Sequence, residues 1–226
     1  MNERCVIVFT RFPREREGKT RLAQEVGNHI AALLNRAFLL DIFTRFKERD
    51  FDLLVAGASG DKEKEFAELI NVHGSFDHFF LPDGATTDEQ VHFAYQKALT
   101  RYKKVVLTAS DIPQLTHRHI QQMFADLDEV DIVFHMNHDG GTCPQGMKVA
   151  YDLFTGSSER SIGHCREWKE KIESLRLSHR LEPEILIDID TLEDLVIFYH
   201  WQNLLGKESE MYCPITIQTV KEVLSL

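Results

Sequence analysis

A loop rich in cationic side chains follows the first apolar run of the chain. Residues 11–22 contain five cationic side chains, namely Arg11, Arg14, Arg16, Lys19 and Arg21. Guanidinium forks, an ammonium group and the backbone N–H groups of a following helix are together suited to binding phosphate. The spacing is neither a Walker loop nor a dinucleotide fingerprint, because the glycine pattern of those motifs is absent. The alternative is a solvated charged turn in which Glu15 and Glu17 neutralise part of the charge.

Carboxylates follow several of the predicted strands. Asp111 comes directly after a buried strand and Asp139 lies in a Gly-rich turn after another. Asp188 and Asp190 close the last predicted strand. Because the carboxyl ends of neighbouring parallel strands meet at one edge of a sheet, these side chains are expected to converge on one crevice. Hard oxygen ligands suit Mg²⁺ or Mn²⁺, and such an ion beside a phosphate-binding loop suits nucleoside-diphosphate chemistry.

Each carboxylate also has a structural interpretation. Asp111 before Ile-Pro is good turn chemistry. Asp139-Gly140-Gly141 is typical of a hairpin turn. Asp190 stands three residues before Glu193, the spacing of a capping box, and this interpretation is favoured over metal binding for Asp190. The shared position at strand ends therefore indicates a metal site better than any one carboxylate does.

The histidines do not form a recognisable catalytic pattern. The chain has 11 of them, scattered along its length. His117 and His119 lack the i, i+4 spacing that places two ligands on one helix face. His135 and His138 flank the predicted crevice, and His138 is retained with Asp139 as a crevice residue. A catalytic histidine is not favoured, since no base–nucleophile arrangement accompanies any of them.

These residues require strands that end at a common edge. An uninterrupted apolar run at residues 5–10 indicates a strand buried on both faces, and the mostly apolar segments 51–56 and 104–109 indicate two further buried strands. Further strands are expected at residues 77–81, 130–135, 147–151 and 184–189. Helices are expected at residues 22–47 (with Gly27 ending a first turn and Asn28 capping the main helix), 61–69, 87–102, 116–127 (capped by Thr116), 158–174 and 190–201. The alternation predicts a three-layer α/β/α sandwich with a mostly parallel sheet.

Length and composition restrict the class of protein. The 226 residues accommodate one large α/β domain, assigned to residues 1–206, and an extension at 207–226 with a docking helix after Pro214. The formal net charge of -10 argues against nucleic-acid binding, which needs a basic face. The four cysteines are widely spread and read as reduced thiols. No signal-peptide pattern and no apolar run of membrane-spanning length are evident, so a cytoplasmic protein without a membrane span is expected.

An ordered set of short motifs resembles a known family. The motifs are Phe9-Thr10-Arg11-Phe12-Pro13, Lys19-Thr20-Arg21-Leu22-Ala23 with Gly27, Ala37-Phe38-Leu39-Leu40-Asp41, Ala109-Ser110-Asp111-Ile112-Pro113-Gln114-Leu115, Asp139-Gly140-Gly141 and Asp188-Ile189-Asp190-Thr191-Leu192-Glu193-Asp194-Leu195. In this order they resemble a GT-A-like group of bacterial proteins, formerly classed as a domain of unknown function and described as glycosyltransferases or nucleotide-diphospho-sugar transferases. That group is similar to the molybdenum-cofactor and phospholactate nucleotidyltransferases.

The resemblance implies a nucleotide-binding α/β sandwich and a set of site residues. Lys19 and Arg21 are expected to contact nucleotide phosphates. Asp111 is expected to hold the divalent metal, with Asp190 as a second ligand. Asp111 and Lys19 are the predicted catalytic residues. The full predicted phosphate-binding set is Arg11, Arg14, Lys19, Thr20, Arg21 and Ser110.

Three segments depart from the family pattern. Residues 14–18 replace a second Pro-Gly, residues 84–88 replace a Gly-Asp-Leu-Gly run, and residues 142–146 replace an aromatic, apolar stretch. The last two segments fall where an acceptor or a catalytic base is expected. They therefore affect which substrate the protein accepts and whether it catalyses a reaction.

The sequence supports three functional hypotheses. The first is a Mg²⁺- or Mn²⁺-dependent, glycosyltransferase-like enzyme with a nucleoside-diphosphate sugar donor and an acceptor that the motifs do not identify. The second is a nucleotidyltransferase that uses a nucleoside triphosphate and a phosphorylated acceptor. The third is a degenerate, non-catalytic nucleotide-binding protein, which the altered segments favour.

Overall fold

The computed structural model describes residues 2–154 and 164–224, with side chains for all of these except 164 and 165. Within these residues the strands are β1 (Arg4–Phe9), β2 (Asp52–Ala56), β3 (His78–Phe80), β4 (Lys104–Ala109), β5 (Ile132–Met136), β6 (Thr142–Met147) and β7 (His179–Leu181). The helices are α1 (Thr20–Val26), α2 (Asn28–Arg45), α3 (Glu63–Ile70), α4 (Thr87–Leu99), α5 (His117–Asp126), α6 (His164–Ser174), α7 (Leu192–Leu205) and α8 (Pro214–Leu224).

The strands form a single mixed sheet in the described part of the chain. Its order is β3-β2-β1-β4-β6-β5-β7, and all neighbours are parallel except β6, which is antiparallel to both β4 and β5. In the centre, Val8 of β1 pairs with Val55 of β2 and Thr108 of β4. Strands β1, β4 and β5 therefore end at the same edge, and β6 begins there. The predicted mostly parallel α/β fold is confirmed.

Helices cover both faces of the sheet because the central strands are apolar on both sides. On one face Val6 and Val8 of β1 pack in a core cluster with α2, α3 and α5. On the other face Cys5 and Ile7 pack in a cluster with α4 and α6. Successive side chains of a strand point to opposite faces of the sheet, so a strand that is covered on both faces is apolar at successive positions.

The C-terminal helix packs against the same body. Buried Ile217 and Val220 of α8 lie in a third apolar cluster with residues of α1, α2 and α7. The buried Asp41 carboxylate of α2 accepts from the backbone N–H groups of Ile215 and Thr216, at 3.2 and 2.8 Å. A carboxylate placed there satisfies donors that the first turn of a helix otherwise leaves open. The division of the chain at residue 207 stays a prediction.

The prediction of a strand at residues 147–151 is wrong. The strand that pairs back is β6, which forms a hairpin with β5 across Asp139-Gly140-Gly141. Proline and glycine have a low strand propensity, but the position in β6 between β4 and β5 favours a glycine. A Cβ on Gly146 lies 2.9 Å from Cγ1 of Val133 and 3.2 Å from Cγ2 of Val106. Close packing between two neighbours therefore selects this register.

Several other boundaries also differ from the prediction. Strand β7 precedes the predicted strand at 184–189, where Leu186 forms only an isolated bridge with Asn137. Gly27, and not Asn28, occupies the N-cap of α2. The predicted start of the helix at residue 158 lies outside the described residues. The capping box of α7 is built from Thr191 and Asp194, one residue later than predicted, which leaves Asp190 outside the box.

Candidate functional site

Three aspartates converge at the carboxyl edge of the sheet. Asp111 follows β4, and Asp188 and Asp190 lie between the bridge at Leu186 and α7. Each offers a carboxylate oxygen, and these oxygens all lie within 4.8 Å of one another. The Ile189 N–H donates to the Asp111 carbonyl at 3.0 Å, which fixes the two segments side by side. A spacing of two residues places side chains on one side of an extended segment, as Asp188 and Asp190 require.

Lys19 extends from the β1–α1 loop into this acidic cluster. Its Nζ lies 2.5 Å from Oδ2 of Asp111 and 3.1 Å from Oδ1 of Asp190, and it donates to the Ile189 carbonyl at 2.8 Å. The side chain is only 7% exposed. Lys19 adopts a left-handed backbone conformation with φ of 46°, which costs roughly 1 kcal/mol for a residue with a Cβ. The buried ion pairs stabilise that conformation.

The neighbouring charges of the cluster shift the pKa values of Lys19 and Asp188. Burial alone would lower the pKa of Lys19, but the charges of Asp111, Asp190 and Asp188 outweigh it and raise that pKa. Burial, together with the negative charge of Asp111, raises the pKa of Asp188 well above its ordinary value. The exposed Arg21 adds a guanidinium contact to Oδ2 of Asp190. The cluster thus concentrates negative charge where two cationic side chains of the loop meet it.

The donor set fits a divalent cation. Oδ1 of Asp111 and Oδ1 of Asp188 are buried, and neither has a hydrogen-bond partner among the described residues. Buried carboxylate oxygens without a donor are costly, and a hard cation is the ligand that satisfies several at once. Asp188 therefore belongs with the candidate ligands, although the sequence-based ligand set contains only Asp111 and Asp190.

A pocket of about 290 Å³ opens beside the cluster. Its lining includes the acidic cluster with Arg21, residues of β4 and β6, and the N-terminal turn of α4. Its apolar lining consists of Phe9, Val91, Leu107 and Phe154, and its neutral polar lining includes Asn137, Thr142 and Gln145. Two of the three segments that depart from the family pattern, residues 84–88 and 142–146, contribute to this lining.

The structure brings some predicted phosphate-binding residues to the cluster and places others elsewhere. Lys19 and Arg21 contact the aspartates directly, whereas Arg11 and Thr20 are exposed on the same loop. Arg14 lies in a separate network, with NH1 2.8 Å from Oδ1 of Asp61 and its guanidinium over the Phe12 ring. These contacts with a buried carboxylate and an aromatic face occupy Arg14 in shaping the loop, so its predicted phosphate role has no geometric support.

The Ser110 hydroxyl is hydrogen-bonded to another side chain of the protein. It is buried, and its Oγ accepts from Thr10 Oγ1 at 2.9 Å. Its hydroxyl links the ends of β1 and β4 and lies within 3.4 Å of Oδ1 of Asn35 on α2. Since the hydroxyl is turned to the core and away from the pocket, Ser110 holds the loop ends together, and the geometry gives no support to direct phosphate contact.

Of the two predicted crevice residues, Asp139 lines the pocket and His138 is not among the lining residues. Oδ1 of Asp139 accepts from the Gly141 N–H at 2.9 Å within the β5–β6 turn. His138 lies 2.7 Å from Oδ1 of Asp194, the residue of the α7 capping box. The hairpin interpretation of Asp139-Gly140-Gly141 is thus observed together with a position on the pocket.

His135 is separated from His138 and lies in the core. Its ring packs edge-on against His119 at 5.3 Å between centroids, and its Nδ1 lies 2.9 Å from the Glu184 carbonyl. Burial lowers the pKa of His135 to about 4. The imidazole is therefore neutral at physiological pH and donates to that carbonyl.

A pH-dependent stability follows from this burial. Unfolded histidine titrates near 6.5, so the folded chain binds fewer protons than the unfolded chain between that pH and about 4, and stability is lost as the pH falls through this window. We expect the free energy of unfolding of the wild type, relative to His135→Gln, to fall by roughly 3 kcal/mol from pH 7 to pH 4. Urea titrations at both pH values measure this difference, and the exposed His200→Gln is the matched control. A difference that does not change with pH would contradict the prediction.

A comparison with protein-family models identifies the family. The model described as uncharacterized proteins conserved in bacteria (DUF2064) matches residues 40–158. The chain belongs to the DUF2064 family. The matched segment includes β4, Asp111 and the β5–β6 hairpin, so the motif-based resemblance is confirmed. A search of curated proteins finds no match.

Solved structures share the fold over almost the entire chain. A protein from Desulfovibrio desulfuricans G20, provisionally described as a nucleotide-diphospho-sugar transferase, is 28% identical with a TM-score of 0.86, covering 100% of this chain and 96% of that one. A cytidylyltransferase from Leptospira borgpetersenii is 12% identical with a TM-score of 0.59, at coverages of 100% and 96%. A Mycobacterium tuberculosis protein in complex with manganese is 16% identical with a TM-score of 0.51, at coverages of 87% and 97%.

The 28% identical Desulfovibrio structure supports the prediction of a transferase enzyme. None of the described helices combines the length and apolar character that crossing a bilayer requires.

Proposed function

We propose that this DUF2064 protein is a divalent-metal-dependent transferase that uses a nucleoside-diphosphate sugar as donor. The observation that carries the proposal is the acidic cluster of Asp111, Asp188 and Asp190, which lines a pocket and has two buried oxygens that lack partners in the described residues. A cluster of this kind at the carboxyl edge of an α/β sheet stands where such folds bind their ligands.

In this proposal the three aspartates hold Mg²⁺ or Mn²⁺. When bound, the ion supplies positive charge that neutralises the diphosphate and stabilises the leaving group. Lys19 and Arg21, which contact the aspartates in the structure, are assigned to the phosphate oxygens, and Arg11 is exposed on the same loop. In this proposal Asp111 and Lys19 are the catalytic residues, and they act by positioning the reactants and by electrostatic stabilisation. Neither side chain is part of a base–nucleophile pair among the described residues.

The relatives support this proposal in two ways. The Desulfovibrio protein shares the fold at 28% identity and is provisionally described as a nucleotide-diphospho-sugar transferase. The Mycobacterium protein shows that a chain with the same fold binds manganese. A cytoplasmic location and the absence of nucleic-acid partners stay predictions from composition.

Nucleotidyl transfer is the second candidate function, because the Leptospira relative is a cytidylyltransferase. The two reactions release different products. Glycosyl transfer from a nucleoside-diphosphate sugar releases a nucleoside diphosphate, whereas attack of a phosphorylated acceptor on a nucleoside triphosphate releases pyrophosphate. Product analysis therefore separates the candidates, and a chain that binds nucleotide but forms neither product is the degenerate alternative.

A thermal-shift screen of nucleotides and nucleotide sugars, with Mn²⁺, with Mg²⁺ or with EDTA, tests the proposal. A ligand at 100 times its dissociation constant stabilises the native state by about 2.7 kcal/mol, which raises the Tm of a chain of this size by roughly 5–10 °C. We expect such a shift with a nucleoside-diphosphate sugar and a divalent ion, and none with EDTA. A shift with triphosphates alone would favour nucleotidyl transfer. Binding that is equal with Mn²⁺ and with EDTA would contradict the metal-dependent function.

A further inference from the structure

We infer that the part of the pocket lined by the β5–β6 hairpin is the subsite for the sugar ring of the donor, a neutral group that carries several hydroxyls. The inference rests on the proposed function and adds the residues that recognise the transferred group. Three buried polar side chains carry it: Asn137, Thr142 and Gln145, which are 1%, 5% and 7% exposed.

Each of these side chains belongs to the lining of the pocket and carries a buried oxygen. Oδ1 of Asn137, Oγ1 of Thr142 and Oε1 of Gln145 are buried and have no hydrogen-bond partner among the described residues. Buried polar groups in folded proteins are almost always hydrogen-bonded, so three such oxygens lining one pocket indicate a ligand that completes them.

The hairpin fixes the direction of these groups. Nδ2 of Asn137 donates to the Cys143 carbonyl at 2.9 Å, so the atom of the amide that remains for a ligand is the acceptor Oδ1. The Tyr95 hydroxyl donates to the Gln145 carbonyl at 2.6 Å, which secures β6 against α4. Asn137, Thr142 and Gln145, called the polar row below, therefore belong to a rigid strand and its turn. They are held in place before any ligand binds.

The chemistry of the row matches hydroxyl groups. A sugar hydroxyl both donates and accepts, as the threonine hydroxyl and the glutamine amide also do, and it donates to the asparagine Oδ1. An ionised phosphate oxygen only accepts, and so leaves Oδ1 of Asn137 unsatisfied. Phosphate is thus assigned to the acidic cluster with its metal and cations, and the hydroxylated group to the hairpin.

The remaining walls suit a sugar as well. Phe9, Val91, Leu107 and Phe154 line the same pocket and offer apolar surface to the C–H face of a ring. The row lines the same pocket as the aspartates, so a group bonded directly to the diphosphate is within its reach. In a nucleoside-diphosphate sugar only the ribose and the sugar meet that requirement, and the experiment below separates the two.

The test measures binding of matched pairs in the presence of Mn²⁺ by isothermal titration calorimetry. The probes are UDP with UDP-glucose, UDP with UDP-N-acetylglucosamine, and GDP with GDP-mannose. We expect at least one sugar form to bind about tenfold more tightly than its diphosphate. In Thr142→Val and Gln145→Met, each of nearly unchanged volume, this advantage is expected to fall by about fivefold, the fold-change equivalent to one hydrogen bond, with diphosphate affinity within twofold of wild type.

The outcomes distinguish the subsite from the function on which it rests. Equal affinity for every sugar nucleotide and its diphosphate would overturn the sugar subsite and leave the metal-dependent nucleotide site intact. Loss of UDP or GDP affinity in the two variants would reassign the row to the nucleoside and overturn the inference. Failure of all diphosphates to bind with Mn²⁺ would overturn the proposed function and the subsite together. Gln122→Met, on the exposed face of α5, is the matched control and should bind every probe as the wild type does.

Discussion

Replacing Asp188 by asparagine is expected to remove metal-dependent nucleotide binding while the fold is retained. The substitution keeps the size of the side chain but takes one negative charge from a group of three carboxylates within 4.8 Å of one another. Affinity for divalent ions depends strongly on ligand charge, so a loss on the order of 100-fold in Mn²⁺ affinity is expected. The nucleotide-dependent rise in Tm with Mn²⁺ should disappear with it.

The same variant should be at least as stable as the wild type in EDTA. Oδ1 of Asp188 has no donor among the described residues and faces the Asp111 carboxylate, so the wild type contains like-charge repulsion that asparagine relieves. Thermal unfolding in EDTA and in Mn²⁺ gives both readouts from one preparation. Asp83→Asn, which removes the same charge at an exposed turn, is the control. Undiminished Mn²⁺ affinity in Asp188→Asn would exclude Asp188 as a ligand.

Replacing Lys19 by methionine is expected to destabilise the protein in EDTA and to tighten its binding of divalent ions. The Lys19 ammonium compensates Asp111 and Asp190 in the described structure, at 2.5 and 3.1 Å, and Arg21 is a second cationic partner of Asp190. Removing one partner of a mostly buried ion pair typically costs about 3 kcal/mol, because the other charges are left uncompensated. A dication then becomes the remaining means of neutralising the cluster.

The Lys19→Met experiment combines thermal unfolding with Mn²⁺ titration. The Tm in EDTA should be lower than that of the wild type, and the increase caused by Mn²⁺ should be larger, with Mn²⁺ affinity at least about tenfold tighter. Lys47→Met, at an exposed position after α2, controls for the loss of a cationic side chain. Equal Mn²⁺ affinity in the wild type and in Lys19→Met would contradict a competition between the ammonium and the metal for the same carboxylates.

Local patterns in the sequence were sufficient to predict the central architecture. The apolar runs within β1, β2 and β4 indicate strands without knowledge of their neighbours, because burial on both faces makes most successive positions apolar. From that architecture alone Lys19 and Asp111 were expected at one edge, and they lie there in contact. The Thr116 cap of α5 is equally local, since the capping box depends on residues three apart.

The hairpin was decided by tertiary contacts. Residues 142–147 contain a proline and two polar residues and resemble a loop, whereas the apolar stretch that follows resembles a strand. The pairing of β6 with both β4 and β5 reverses that choice, because only a chain with glycine at 146 fits between Val106 and Val133. The pocket lining from Thr142 to Gln145 depends on this pairing and so had no local signal.

The ligand set was only partly determined by the sequence for a related reason. Asp190 and Glu193 have the spacing of a capping box, but the helix uses Thr191 and Asp194, and this shift of one residue leaves Asp190 for the cluster. Asp188 was visible as a carboxylate after a strand, yet its partnership with Asp111 depends on a contact between segments 77 residues apart in the chain. Sequence determines which residue types reach the edge of the sheet, because strand and helix periods are local. Which of them meet is decided by packing between distant segments, because only the folded chain brings their charges within a few ångströms.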